Sequence, residues 1–182
     1  LARLQAPAVG REPLDPGGEL VQQRQVLLDH LQQKGLLERA LVFVTADHGE
    51  SFFEHGTYDH SNKPYLDNDH VPLILLSPGI APARIATPVG LIDITPTALG
   101  RAGLAIPDVY RGIDLLAAAK LPVFPRRAIV TEPPRNDPEA AFFAWAYVEG
   151  HHKYLFDRKG MTDELYDLDQ DPGEQHNLVE RD

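Results

Sequence analysis

The 182-residue sequence contains no cysteine, so disulfide bonds and thiolate metal sites are excluded. It also has no apolar run near the roughly 20 residues that a membrane helix needs, and we expect no membrane segment in this chain. Basic residues are few and scattered: 17 basic against 27 acidic side chains give a formal net charge of -10. Because a nucleic-acid partner requires a clustered basic face, we expect none.

The start of the chain carries little information about targeting. Its first residue is Leu1 instead of methionine, and no signal-peptide pattern follows. Prolines and glycines are frequent within residues 1–18, which predicts an irregular lead-in. We therefore expect a chain trimmed at its amino end.

The composition indicates the number of domains. Hydrophobic residues make up 43% of the chain and charged residues 24%, which is typical of one globular domain with at most a small appendage.

Periodic and apolar segments follow the lead-in. Leucines on one face and glutamines mostly opposite predict a helix over residues 19–34, and Gly35 is placed to end it in a left-handed cap. An uninterrupted apolar run rich in β-branched residues occupies residues 40–45, and a second apolar run, at residues 71–76, predicts another buried strand. Such runs are typical of strands buried on both faces, as in a parallel sheet covered by helices.

Further along, helix and strand signals continue to alternate. Thr95 and Pro96 predict the N-cap and the first position of a short helix that ends before Gly103. Residues 128–131 predict a third short strand. This alternation indicates an α/β core over residues 19–135.

The remaining residues, 136–182, have a different pattern. Short strand candidates are separated by glycines and a proline–glycine turn; they cover residues 142–148, 153–156 and 164–168. Such close spacing predicts an antiparallel meander that forms a small subdomain.

The most informative short stretch is Asp47, His48 and Gly49, directly after the first predicted strand. Ligands bind at strand ends in open α/β folds, and a carboxylate with an imidazole is an ordinary donor pair for divalent cations. Both side chains reach one metal only if the chain turns there, which Gly49 permits. The alternative for this stretch alone is a capped turn with a surface histidine.

Histidines cluster in the loop that follows. Four of the chain's 8 histidines lie between positions 48 and 70, namely His48, His55, His60 and His70. A site that handles an anionic ester requires such enrichment, whereas a solvated polar loop does not. A loop with histidines by chance is the alternative.

In order and spacing, the chain after residue 18 resembles the second half of a sulfatase of the alkaline phosphatase superfamily. The matching segments are residues 45–50, 54–56, His60, 70–74, 91–97, Gly103, 112–116, 164–168, 171–174 and 177–178. The resemblance implies the C-terminal part of an alkaline-phosphatase-like α/β fold with a small C-terminal antiparallel β subdomain. It also implies a metal-dependent sulfuric ester hydrolase, which favours a periplasmic or extracytoplasmic location.

The resemblance assigns roles to individual residues. Asp47 and His48 match two ligands of the catalytic divalent cation, the second of which is asparagine in many sulfatases. Because calcium prefers oxygen donors while imidazole suits manganese or zinc, the identity of the metal stays open among these three. His60 matches the lysine or histidine that contacts the ester group and is the expected catalytic acid. His55 and His70 are weaker candidates for contacting the anionic ester substrate.

The family's nucleophile motif, Cys- or Ser-x-Pro-x-Arg, is absent from these residues. A formylglycine is therefore expected only in a missing N-terminal half of the same fold, and the isolated chain should be inactive. Thr131 begins a segment with similar spacing, but its position after the metal pair indicates coincidence. The pair His151 and His152 lacks a partner at metal spacing in the sequence.

Two further interpretations remain open. The first is a phosphoethanolamine or glycerol-phosphate transferase, or a phosphonate or phosphate ester hydrolase, of the same superfamily, since His48 also suits those branches. The second is a non-catalytic binding or structural module that keeps the fold. Metal content distinguishes the second, because such a module need not hold Asp47 and His48 in ligand geometry.

Overall fold

The computed structural model of the chain describes residues 4–5, 19–59, 63–132 and 144–179. Its elements in chain order are β1 (Leu4–Gln5), α1 (Glu19–Gln33), β2 (Val42–Val44), β3 (Ser51–Phe52), β4 (Tyr58–Asp59), α2 (Leu66–Asp69), β5 (Ile74–Leu76), a 3-10 turn (Leu91–Asp93), α3 (Ile94–Arg101), α4 (Leu115–Ala118), β6 (Ile129–Thr131), β7 (Ala144–Glu149), β8 (His152–Asp157) and β9 (Thr162–Asp167). None of the helices in these ranges is both long and apolar enough to cross a bilayer.

The chain forms two compact units that alternate along the sequence. The first unit comprises Leu1–Thr45, Pro72–Ala86 and Ile92–Lys120. The second unit comprises Ala46–Val71, Thr87–Leu91 and Leu121–Asp182. The sequence predicted continuous regions bounded at residues 18 and 135. In the structure, each compact unit instead consists of three separate stretches of chain.

In the first unit, α1 ends as its sequence predicts. Gly35 adopts a left-handed φ of 63°, and its N–H donates to the Gln32 carbonyl at 2.9 Å. The N–H of Leu36 donates to the Leu31 carbonyl at 2.9 Å, which completes a Schellman motif. The predicted C-terminal cap at Gly35 is therefore confirmed.

The sheet of the first unit has the strand order β1-β5-β2, and all of its pairs are antiparallel. The prediction of a parallel sheet is wrong here. Val44 pairs with Ile74, and among the described residues between these strands the only helix is α2, which has 4 residues. The connection is long enough for either direction, and the apolar runs themselves do not distinguish parallel from antiparallel pairing. Burial differs as well: Leu75 is fully buried, whereas β2 is half-buried.

The helix predicted from Thr95 begins earlier than expected. The 3-10 turn runs directly into α3, so Thr95 and Pro96 lie within the first helical turn, where a missing N–H costs little. Thr97 is fully buried: its hydroxyl donates to the Asp93 carbonyl at 2.6 Å and accepts from the Leu115 N–H at 2.9 Å. This hydroxyl joins the start of α3 to α4.

The second unit contains a four-stranded antiparallel meander in the order β6-β7-β8-β9. The predicted small antiparallel subdomain is confirmed. The structure differs for β6, which we assigned to the α/β core and which pairs with β7. Ala146, Leu155 and Tyr166 form the buried core of this sheet, with Tyr65 and Leu168 packed against it.

A buried ion pair holds the sheet to the rest of the second unit. Lys153 on β8 has no exposed surface, and its Nζ lies 2.9 Å from Oε1 of Glu174, which is also buried. The Asp69 carboxylate lies 3.8 Å from the same Nζ. The other oxygen of Glu174 accepts the N–H of Leu66 at the start of α2. Three separate segments, around residues 66–69, 153 and 174, therefore converge on one buried lysine.

We predict that Lys153→Met lowers the free energy of unfolding by about 3–5 kcal/mol, because it leaves the Glu174 carboxylate buried without its cation. Urea unfolding followed by circular dichroism measures the change. Lys159→Met, at an exposed lysine in the β8–β9 turn, is the matched control and should change stability by no more than about 0.5 kcal/mol.

The double variant Lys153→Met/Glu174→Gln separates the ion pair from side-chain packing. If the pair carries the effect, the double variant is more stable than the sum of the two single losses predicts. Additive losses contradict this interpretation.

Candidate functional site

The predicted ligand pair lies directly after β2, in the second unit. The Nδ1 atom of His48 is 2.7 Å from the Gly49 carbonyl oxygen. Because a carbonyl only accepts, Nδ1 carries the proton and Nε2 is the unprotonated nitrogen of the neutral ring. That Nε2 lies 3.8 Å from Oδ2 of Asp47. The backbone thus fixes the tautomer in which His48 and Asp47 present two donor atoms to the same space.

This arrangement fits a divalent cation. Two donors on one ion, each about 2.1 Å from it, lie at most about 4.2 Å apart, and the 3.8 Å separation satisfies this limit. A hydrogen bond from the other ring nitrogen to a carbonyl is the usual way to orient a histidine ligand. Among the described residues, no third histidine or carboxylate joins the pair within ligand distance. The predicted pair thus offers two donor atoms at a separation that one cation could span.

Gly49 is required for a close approach between two stretches of backbone. Its N–H donates to the Asn68 carbonyl at 2.8 Å, and the next N–H, of Glu50, donates to the Asp67 carbonyl at 3.0 Å. A Cβ atom at position 49 would lie 1.9 Å from the Asp67 carbonyl oxygen. The sequence suggested that this glycine serves a turn, but its φ is not left-handed and contact with the α2 segment requires it.

A second contact reinforces this junction. Ser51 is fully buried, and its hydroxyl donates to Oδ2 of Asp67 at 2.6 Å. The other oxygen of Asp67 accepts the N–H of Asn68 at 3.0 Å. Both carboxylate oxygens of Asp67 are thus engaged, and the loop beside the metal pair is held at two successive points.

The other predicted site residues have different environments. His60 lies outside the described residues. The His55 ring stacks on Tyr65, with centroids 3.6 Å apart and planes 7° from parallel. His70 ends α2 and is partly buried, and burial lowers its pKa, with the nearby Lys153 charge as the second cause. A neutral His70 can form hydrogen bonds but supplies no positive charge to an anion.

Asp69 lies in the histidine-rich segment, but the sequence patterns assigned it no role. Burial raises its pKa to about 6, although Lys153 and a 2.9 Å hydrogen bond from Thr131 act in the opposite direction. Its partners are 62 or more residues away along the chain. No local signal in the sequence brings these residues together, so pattern reading alone does not find them.

The comparison of sequences assigns the chain to a family. The family model described as Sulfatase matches residues 24–104. Arylsulfatase K from Xenopus laevis is 31% identical over 166 residues, which cover 84% of this chain and 30% of that protein. The chain spans less than a third of the length of the curated relatives that it matches, among them arylsulfatase K from three vertebrates.

Solved structures share the fold. A protein in complex with its substrate D-glucosamine-2-N,6-O-disulfate superposes with a TM-score of 0.75 at 21% identity, covering 88% of this chain and 34% of that chain. A phosphonate monoester hydrolase from Silicibacter pomeroyi gives a TM-score of 0.66 at 24% identity over 88% of this chain and 34% of its own. The predicted fold, part of a sulfatase-like α/β architecture with a C-terminal antiparallel sheet, is confirmed.

We predict that Gly49→Ala destabilises the chain by about 2–4 kcal/mol, because the added methyl group collides with the Asp67 carbonyl and the backbone must shift. It should also weaken binding of Mn²⁺ by displacing the adjacent ligand pair. Gly173→Ala is the matched control, since a Cβ atom there has its nearest neighbour at 3.7 Å. Equal stability of the two variants in urea unfolding contradicts the close contact.

We also predict a pH effect from Asp69. Its pKa is about 6 in the folded chain and about 3.9 in the unfolded chain, so the folded chain binds more protons between these values. Its contribution to stability is therefore greatest below about pH 4 and is lost as the pH rises through 6. Asp69→Asn removes this titration while leaving an acceptor for Thr131.

Urea unfolding of both proteins between pH 4.5 and 7.5 measures the difference. Relative to the parent chain, the Asp69→Asn variant should gain about 2 kcal/mol over this range, since about 1.4 kcal/mol accompanies each unit of pKa shift and part of the titration already occurs below pH 4.5. A difference that does not change with pH rules out the raised pKa.

Proposed function

The chain belongs to the sulfatase family of the alkaline phosphatase superfamily, and from this we propose that it contributes the Asp47–His48 metal pair to the active site of a sulfuric ester hydrolase. The observation that carries the proposal is the geometry of His48. Its Nδ1–H is held by the Gly49 carbonyl, while its Nε2 lies 3.8 Å from the Asp47 carboxylate. A surface histidine without a ligand role needs no such orientation.

The sulfatase family implies a divalent metal. We propose manganese or zinc in preference to calcium, because one of the two donors is an imidazole nitrogen and calcium favours oxygen. Such a cation would polarise the ester and neutralise charge on its oxygens. Within this chain, Asp47 supplies negative charge and His48 a neutral donor, and the loop contacts of Gly49 fix both.

We assign proton transfer to His60. The family places a lysine or histidine at this position in contact with the ester group, and a histidine there can donate a proton to the departing oxygen. His55 and His70 stay predictions as substrate contacts. The stacking of His55 on Tyr65 and the burial of His70 favour a role in shaping the loop.

We propose that the nucleophile lies outside these 182 residues. The sequence has no cysteine and no Ser-x-Pro-x-Arg segment, and the chain covers 30% of the length of arylsulfatase K from Xenopus laevis. The chain alone should therefore bind metal but not turn over substrate. The intact site would act on an anionic ester, which agrees with the sulfated sugar bound by the fold neighbour.

Hydrolysis of a phosphonate or phosphate monoester is a second candidate. It is favoured by His48, since many sulfatases carry asparagine at this position whereas phosphonate monoester hydrolases carry histidine. A structure of such a hydrolase has the same fold as this chain. Comparing 4-nitrophenyl sulfate with 4-nitrophenyl phenylphosphonate, a phosphonate monoester, as substrates of the protein extended through its upstream coding sequence separates the two candidates.

We predict that Mn²⁺ binding by the 182-residue chain falls at least tenfold in Asp47→Asn and in His48→Ala, because each removes one of two donors. Electron paramagnetic resonance of free Mn²⁺ measures the affinity. His48→Asn should shift the preference from Mn²⁺ toward Ca²⁺, since an amide oxygen replaces the imidazole.

Asp108→Asn, at an exposed aspartate of the first unit, is the matched control and should bind Mn²⁺ as the parent chain does. An unchanged affinity for Mn²⁺ in Asp47→Asn contradicts the assignment of Asp47 as a metal ligand. Turnover of 4-nitrophenyl sulfate by the 182 residues alone contradicts the separate nucleophile but leaves the metal pair intact.

A further inference from the structure

The β7–β8 hairpin places two histidines beside an aspartate of the next strand. Glu149 pairs with His152, so Gly150 and His151 form the turn, and the left-handed φ of 63° at Gly150 permits this tight reversal. The N–H of Leu168 donates to the His151 carbonyl at 2.7 Å. This bond fastens the turn to the end of β9.

The register between β8 and β9 supplies the third group. His152 pairs directly with Asp167, and directly opposite residues of an antiparallel pair project from the same face of the sheet. One donor atom from each of His151, His152 and Asp167 lies within 4.8 Å of the other two. In the sequence the two histidines lack a partner at metal spacing. The carboxylate of Asp167 comes close to them through strand pairing, which sequence spacing does not reveal.

The chemistry of the three groups suits a borderline transition metal. Donors on one zinc ion lie at most about 4.2 Å apart, so a closure of less than about 1 Å brings all three into range. Both histidines are exposed and their rings are 4.1 Å apart, which leaves room for small rotations. Oδ1 of Asp167 accepts the N–H groups of Asp169 and Gln170, at 3.0 and 3.3 Å, and these bonds orient the carboxylate.

The surrounding charge also favours a cation. Glu149 stands in the same cross-strand row as His152, on the side opposite Asp167, so His152 is flanked by carboxylates on both neighbouring strands. Asp169 adds a further negative charge close to the turn. A bound divalent ion would offset this local excess, which adds to the net charge of -10 of the whole chain.

We propose that His151, His152 and Asp167 form a second metal site, selective for zinc or a similar transition-metal ion and completed by water. Two imidazoles and one carboxylate favour Zn²⁺, Ni²⁺ or Cu²⁺ over Ca²⁺ and Mg²⁺. The site lies in the C-terminal sheet and shares no residue with the Asp47–His48 pair. It therefore does not depend on the proposed function.

The test uses the tag-free 182-residue chain carrying Asp47→Asn and His48→Gln, so that the Asp47–His48 pair no longer contributes to Zn²⁺ binding. Isothermal titration calorimetry with Zn²⁺ at pH 7.5 should give one site per chain. His152→Gln and Asp167→Asn should each weaken it at least tenfold, and saturating Zn²⁺ should raise the melting temperature by several degrees in the protein that retains the site.

His176→Gln is the matched control, because His176 is also exposed and also lies beside a carboxylate, 3.5 Å from Asp171, but without a second histidine. It should bind Zn²⁺ unchanged. Chemical shifts of the imidazole nitrogens on adding Zn²⁺ give a readout that is independent of stability and should change for His151 and His152.

Zinc binding that survives replacement of His152 and Asp167, or that Ca²⁺ displaces at equal concentration, overturns the proposal. Zinc binding that disappears only when Asp47 and His48 are replaced also overturns it, and at the same time supports the first metal pair. The two sites can therefore fail independently.

Discussion

The organisation of the second unit depends on a lysine that has no contact with solvent. Burying an ammonium group is costly unless carboxylates accompany it, and Lys153 is accompanied by Glu174 at 2.9 Å and Asp69 at 3.8 Å. Because both carboxylates must lie near the Lys153 ammonium group, this pairing determines the positions of three segments that are distant in sequence. One of them is the α2 segment, whose backbone also hydrogen-bonds to the loop that follows Asp47 and His48. The buried charge of Lys153 therefore also constrains the loop beside the proposed metal ligands.

The two proposed ligand side chains are exposed to different degrees. The Asp47 side chain is 90% exposed and that of His48 44%, so their geometry comes from the backbone beneath them. Gly49 positions this backbone, because it approaches the Asp67 carbonyl more closely than any larger residue could. The proposed site therefore combines exposed donor side chains with a loop that is held closely against the α2 segment.

Local features of this structure were readable in the sequence, and features that depend on distant partners were not. The cap at Gly35, the helix end before Gly103 and the tail strands follow from nearby residues, and the structure agrees with each. The direction of β5 relative to β2 and the allocation of β6 were misjudged, because an apolar run looks alike in either pairing. Likewise, Asp47 and His48 are adjacent in sequence and could be predicted together as a ligand pair, whereas Asp167 comes close to His151 only through strand register.

The interleaving of the two units has a consequence for how the chain is made. During synthesis, Lys153 leaves the ribosome before Glu174, so for an interval the lysine has no complete set of partners and cannot be buried without penalty. Residues 46–71 of the same unit are synthesised earlier still, before the β6–β9 sheet has been made. Productive folding of the second unit is thus postponed until residue 174 is free.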